Sequence, residues 1–355
     1  MDSNDSMIPP GLYPLGIDEA RHLVSFVRVA RDDYRCVAFH DRRFVTSNAT
    51  MYSFNLDDLL LFNAGSSSLK NQRPRHYIFH SAFCCSTLLV RYLDLIPGCL
   101  VLKEPALLTQ VTGMRYPASH KAAEVRAAGE WLNLLRLCLT LYTNITAADE
   151  VVVIKGSDVC TSLGKVLLEE DVHARIVYIT TDLRTFLLSV LKSERRREFA
   201  RQRLRIAERN PITSPVLRSL TCKPRHDAEV AVCAWACNRM HANLLRRTGQ
   251  HRITWLDAEQ AVDKPTKTVQ LVAAAFELPV DNEEVAKLVS HSSVSSEYSK
   301  DSFRTYDRSS RRTELEEIDA RFGNEADQGM AWALKMIGSF DIGVESLGSI
   351  HARSI

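Results

Sequence analysis

The stretch His76-Tyr77-Ile78-Phe79-His80-Ser81-Ala82-Phe83-Cys84-Cys85-Ser86-Thr87-Leu88-Leu89 constrains this chain more than any other. A short apolar strand runs into a tight loop of small and polar residues, and a Leu-rich helix starts at once. A helix start of this kind points bare backbone N–H groups into the loop, where folded chains hold phosphate and other anions. The loop has neither glycine nor lysine, so it is not an ordinary nucleotide loop.

From Arg75 onward, strands alternate with helices. The strands are His76–His80, Cys99–Leu102, Val151–Ile154, Ala174–Ile179 and Arg252–Leu256. Val151–Ile154 is a continuous apolar run, the pattern of an internal parallel strand buried on both faces. Helical spacing is read over Ser86–Leu95, His120–Tyr142, Thr161–Glu169, Arg184–Arg205, Asp227–Arg247, Thr266–Phe276, Asn282–Leu288, Thr313–Phe322 and Ala326–Ile337. The order implies an α/β fold with three α/β/α layers around a central parallel sheet, joined by right-handed crossovers.

Residues 1–70 read as an extension and residues 71–355 as the α/β domain. The extension has a loose arm, Met1–Pro14, then a hairpin of Tyr34–His40 and Arg42–Ser47 turning near Asp41. Leu56–Phe62 is a short apolar run. Asn63–Pro74, rich in Gly, Ser, Asn and Arg, reads as a linker.

A net charge of +2 on 355 residues provides no global field for nucleic acid, so anion binding must come from local clusters. No apolar run approaches the roughly 20 residues of a membrane span. The nine cysteines are irregularly spaced, and the N-terminal residues are polar and acidic. These features together are expected of a soluble, cytoplasmic protein with reduced thiols, and they leave a homo-oligomer open.

Ligands on parallel sheets sit beyond the carboxyl ends of the strands. Those ends are Ser81–Thr87, Lys103-Glu104, Lys155–Asp158 and Thr180–Arg184, so topology predicts that they share one cleft. Ser86 and Thr87, with the helix amides, are the best anion ligands there, or else Ser86 caps its helix. Glu104 is placed where desolvation raises a carboxyl pKa towards neutrality, as a general base requires; an ion pair with Lys103 or an arginine is the alternative. Lys103 and Lys155 are the strand-end lysines that can supply a cation, Lys155 being the better placed.

In the order and spacing of these motifs the chain resembles the P-loop-like sulfotransferases over about Arg75 to Ile337. Phe83-Cys84-Cys85-Ser86-Thr87-Leu88-Leu89 stands where that family has its loop and helix start. Lys103-Glu104-Pro105 matches a Lys-Glu-Pro-like turn, and Ile154-Lys155 a later strand end. Thr181-Asp182-Leu183-Arg184-Thr185 with Ser189 echoes the segment that holds a 3′-phosphate. The resemblance implies a P-loop NTPase-like, sulfotransferase-like fold that uses 3′-phosphoadenosine 5′-phosphosulfate as co-substrate and a small-molecule or anionic acceptor. It implies Glu104 and Lys155 as catalytic residues, and Ser81, Cys85, Ser86, Thr87, Arg184 and Ser189 as donor-binding residues, with no metal.

The chain departs from the family at four places. Phe83 replaces the loop cation, Cys85 the loop glycine, Thr181 the 3′-phosphate arginine, and Ser157 a histidine. Two other readings therefore stand beside sulfuryl transfer: a non-catalytic nucleotide-binding or scaffold relative, and an ATP- or GTP-using P-loop enzyme.

Three further clusters have plain structural explanations. Cys84-Cys85 suits small side chains packed at a tight loop. Cys233, Cys237 and His241 fall on one helical face, by default a buried one. The arginines Arg195–Arg205 alternate with Glu194 and Glu198, as on a solvated or partner-facing helix. The basic stretch Ser292–Arg312, with Lys300, Arg304, Arg308, Arg311 and Arg312, resembles the late loop that closes over the nucleotide in the family.

Overall fold

The computed structural model describes residues 8–9, 11–41, 43, 45, 49–65, 75–116, 128–146, 150–248, 250–292, 294, 297–298, 301–305, 308–340 and 342. Five parallel strands form the central sheet: β4 (Arg75–His80), β5 (Cys99–Lys103), β6 (Val151–Lys155), β7 (Ile176–Thr180) and β8 (Ile253–Asp257), in the order β5-β6-β4-β7-β8. Three earlier strands, β1 (Leu12–Asp18), β2 (Leu23–Arg28) and β3 (Met51–Asn55), make a separate antiparallel sheet.

The continuous apolar strands resolve into two interleaved sets. Leu100, Leu102, Val152, Ile154, Tyr77, Phe79 and Tyr178 face one core, shared with helices Ala106–Met114 and Ala128–Thr143 and with the β1–β3 sheet. Cys99, Val101, Val153, Ile78, Val177 and Ile179 face the other, beneath helices Ser86–Leu93, Pro265–Ala275 and Asn282–His291. The side-chain period of 2 thus feeds both faces, which is why these strands show no polar alternation. This is the three-layer α/β/α architecture.

The chain leaves β4 for β5 and β6 on one side, then crosses over to β7 and β8 on the other. β4 therefore sits at the switch point of the sheet, and the loop after it opens into the crevice where such sheets take ligands.

A third apolar cluster lies outside the sheet, formed by helices Leu183–Leu191, Glu194–Ala207, Asp227–Thr248 and Arg308–Met336. Two of its helices differ from what periodicity predicts. Arg184–Arg205 is not one helix; it breaks at Lys192-Ser193, where Ser193 is extended. Arg197 donates to the Leu191 carbonyl at 2.8 and 3.1 Å and Arg196 to the Ser189 carbonyl at 2.8 Å, so arginines of the second helix cap the end of the first. Conversely, the expected helices Thr313–Phe322 and Ala326–Ile337 merge into a single helix of 29 residues, Arg308–Met336, with Ile337 starting a short 3-10 turn. Arg184 clamps it on both sides of Gly323, pairing with Asp319 at 2.6 Å and with Asp327.

The expected Tyr34–His40 hairpin arm is also corrected. Asp33–Cys36 is a short helix, and the hairpin is the earlier pair β1–β2, so Leu12–Pro14 belongs to a strand rather than a loose arm. Lys103 takes the carbonyls of Tyr34, Arg35 and Val37, the groups a strand ladder would have needed. Leu56–Gly65 is helical, and Ala106–Met114 is a helix that periodicity did not single out. The Ser292–Arg312 stretch contains a two-stranded hairpin, β9 (Glu297–Tyr298) with β10 (Asp301–Thr305), before the long helix starts. The linker residues 66–74, the start of the His120–Tyr142 helix and most of the arm Arg42–Ser47 lie outside the described residues.

Candidate active site

Three consecutive strand ends build the site. At the end of β4, the loop turns with Ala82 at φ 63°, Phe83 at 50° and Cys85 at 59°. Left-handed backbone costs a residue with a Cβ roughly 1–2 kcal/mol, so the loop adopts a conformation suited to glycine without using one. Cys85 is the N-cap of the Ser86–Leu93 helix and makes no side-chain cap hydrogen bond. Ser86 is therefore not the cap; it and Thr87 are the first helical residues, and both line the cleft.

His80 anchors the loop. Its Nδ1 accepts from the Ala82 amide at 3.1 Å, so the proton sits on Nε2, which donates to the Gly156 carbonyl at 3.1 Å. Burial, reinforced by Lys155, lowers the His80 pKa to about 4 and keeps the ring neutral. Gly156 is irreplaceable here, because a Cβ would lie 2.7 Å from Cys160 Cβ.

At the ends of β5 and β6, Glu104 and Lys155 meet. Glu104 stands at φ 51°, its amide donates to the Lys155 carbonyl at 2.7 Å, and its Oε1 contacts Lys155 Nζ. Lys155 is buried and Glu104 is a quarter exposed, with His80 Nε2 3.8 Å from the same oxygen. Glu104 is thus held as half of a carboxylate–ammonium pair, the ion-pair alternative, though with Lys155 rather than Lys103.

These groups share one cleft of about 910 Å³ with Phe83, Cys85, Ser86, Thr87, Asp158, Thr185 and Ser189. Of the predicted site residues, Glu104, Lys155, Cys85, Ser86, Thr87 and Ser189 come together there. Ser81 is buried behind the loop and accepts from the Thr181 amide at 3.3 Å, tying β4 to β7. Arg184 is outside the cleft, held by Asp319 and Asp327. Lys103 is outside it too.

The arginine run supplies what sequence reading missed. Arg195, Arg196, Phe199 and Arg203 line the cleft; Arg196, Phe199 and Arg203 are half-buried there, while Arg195 is also exposed to solvent. Arg196 lies 4.6 Å from the centre of the Phe83 ring, and Arg203 lies 4.3 Å from that of Phe199 while binding Asp158 at 2.7 and 3.0 Å. The spacing of 196, 199 and 203 places them on one helical face, a signal visible in the sequence but masked by the surrounding charge alternation. The opposite face of that helix pairs with Glu194, Glu198 and Asp227.

Phe39 and Arg43 also reach the cleft, Arg43 stacking on Phe39 at 4.0 Å. From the long helix comes Arg311, which contacts Cys85 Sγ and Glu259. Among the described residues, seven cations and three carboxylates line the cleft, so local charge favours an anion even though the whole chain is nearly neutral. Cys233 and Cys237 are buried, and burial raises both thiols, Cys233 to about 12. Burial lowers the His241 pKa to about 4.

No protein-family model matches the chain, and no curated protein does. Solved structures do. A sulfotransferase from Mycobacterium avium is 12% identical over 81% of this chain and 85% of its own, with a TM-score of 0.41. The sulfotransferase domain of the curacin biosynthetic pathway is 12% identical over 71% of this chain and 98% of its own, at 0.39. A mouse sulfotransferase complexed with PAP is 11% identical over 67% and 69%, at 0.33. These are what the chain is similar to; its α/β class is read from the sheet topology itself. Among the described residues, no helix is long and apolar enough to cross a membrane.

Proposed function

We propose that this chain transfers a sulfuryl group from 3′-phosphoadenosine 5′-phosphosulfate to an acceptor hydroxyl or amine. One observation carries the reading. A left-handed loop ending in a helix start without a side-chain cap opens into the same cation-lined cleft as the Glu104–Lys155 pair.

The residues present suit an anionic nucleotide. Cys85, Ser86 and Thr87 offer helix-start amides and hydroxyls to a phosphosulfate, and Ser189 stands on the next helix for a second phosphate. Ser81 supports the loop from behind. Arg184, engaged with two aspartates, is left out of the donor set. The donor, when bound, supplies the sulfuryl group and a phosphate leaving group. Glu104 takes the proton of the acceptor, and Lys155 orients that carboxylate and offsets negative charge. Positioning and electrostatics provide most of the rate enhancement in such transfers. Buried free thiols such as Cys84, Cys138 and Cys160 suit a reducing, cytoplasmic setting.

Calorimetry with 3′-phosphoadenosine 5′-phosphate tests the reading; absence of binding at millimolar ligand by the folded chain sinks it. Glu104→Gln is expected to abolish transfer while leaving nucleotide affinity unchanged. The loss of a loop cation at Phe83 favours a second reading, a nucleotide-binding protein without catalysis. Nucleotide binding with no transfer to any acceptor would establish that instead.

A further inference from the structure

Building on the sulfuryl-transfer reading, we propose that Arg196 is the cation that serves the loop in place of a basic residue at position 83. Phe83 does not leave an empty place. Its ring packs 5.2 Å from Phe199 and 5.8 Å from Phe186, and the Arg196 guanidinium lies over it at 4.6 Å. A second point of attachment, Nη1 to the Ser189 carbonyl at 2.8 Å, fixes the plane of the guanidinium. The charge missing from the loop sequence is thus delivered to the loop surface by a different helix.

Three structural features make this delivery possible. The break at Lys192-Ser193 lets the Glu194–Ala207 helix start beside Ser189. The aromatic residue at position 83 gives a guanidinium a face to stack on, which a lysine there would not. One face of the helix carries Arg196, Phe199 and Arg203 in succession, with Arg203 directed to Asp158 and Arg196 to the loop. Lys155 is directed to Glu104 on the acceptor side.

The chemistry requires a cation at that point. As the acceptor oxygen bonds to sulfur, its proton passes to Glu104 and the bond from sulfur to the phosphate oxygen breaks. The electron pair of that bond remains on the phosphate, and negative charge grows at the loop. A guanidinium already fixed there stabilises the charge without reorganising.

Arg196→Gln is expected to lower turnover roughly 100-fold and to weaken calorimetric binding of inorganic pyrophosphate by about tenfold. Arg196→Lys, which keeps the charge but loses the stacked planar guanidinium, is expected to fall between the parent and Arg196→Gln. Arg205→Gln, on the exposed face, is expected to change neither. A folded Arg196→Gln protein with turnover and pyrophosphate affinity within threefold of the parent overturns the proposal, as does an Arg196→Lys protein as poor as Arg196→Gln. The two readings separate cleanly. If 3′-phosphoadenosine 5′-phosphate does not bind but pyrophosphate affinity still depends on Arg196, sulfuryl transfer fails and the anion role of Arg196 stands. If transfer proceeds and Arg196→Gln is silent, the reverse holds.

Discussion

Lys103 and Lys155 are register partners on the adjacent parallel strands β5 and β6, yet only Lys155 reaches the cleft. Lys103 is fully buried, pairs with Asp94 at 2.5 Å, and donates to the carbonyls of Tyr34 and Val37 at 2.9 and 3.0 Å. The partners each lysine meets mark the difference. Glu104 turns into the left-handed region and captures Lys155, while Lys103 ties down the segment that brings Phe39 and Arg43 to the cleft.

Lys103→Met leaves Asp94 buried with its charge partner gone. Breaking such a pair costs about 3–5 kcal/mol, which urea denaturation will register as a lower midpoint. Adding Asp94→Leu is expected to recover part of that loss. A single variant as stable as the parent contradicts the pairing.

Glu104 and Lys155 are expected to act as a unit. Glu104→Gln and Lys155→Met each remove most transfer activity, and the double variant is little worse than either, because the second change removes a residue whose partner is already lost. Independent, multiplicative losses in a double-mutant cycle would show that the two side chains do separate jobs.

The left-handed loop yields a stability test. Cys85→Gly relieves backbone strain at φ 59° and is expected to stabilise the fold by up to about 1 kcal/mol, less the side chain's own contacts. Cys85→Val places a β-branched residue in the same conformation and is expected to cost about 1–3 kcal/mol. Thermal unfolding that ranks valine above glycine refutes the strained conformation.

Stability is expected to fall on acidification before most carboxylates titrate. Burial lowers the pKa of His40 to about 3 and of His76, His80 and His241 to about 4, from an ordinary value of 6.5. A depressed histidine stabilises the fold fully above pH 6.5 and loses that contribution as pH falls towards 4, by about 1–2 kcal/mol each at pH 5. Asp94, raised to about 6 by burial against the opposing pull of Lys103, acts in the other direction over pH 7 to 5. Glu259, raised by burial as well, acts with Asp94; the four histidines outweigh these two carboxyls, so the urea midpoint at pH 5 is expected below that at pH 7. A higher midpoint at pH 5 would show that these rings are not held neutral.

Much of the candidate site was legible because its markers are local. The β4 strand, the Ser86 helix start and the strand-end Glu104 and Lys155 follow from apolar runs and punctuation, which report backbone direction. Arg196 and Arg203 were not legible as site residues, because a helix face has no address until its neighbours are known. Their charge alternation with Glu194 and Glu198 is real, but it describes the other side of the same helix. The break that reorients them has no glycine or proline to announce it and depends on arginines capping the preceding helix end.

By itself, the sequence determined the parallel α/β class, the loop after β4 and three of the four strand ends that converge there; the fourth, Thr180–Arg184, stays outside the cleft. Burial periodicity and helix-start chemistry act over a few residues, so they can be read along the chain. Only the tertiary structure decided which lysine faces the cleft, that Arg184 is spent on a helix clamp, and that a cation comes to the loop from Arg196. Those outcomes depend on which side chains from distant segments meet, and on the desolvation and pairing that follow once they do.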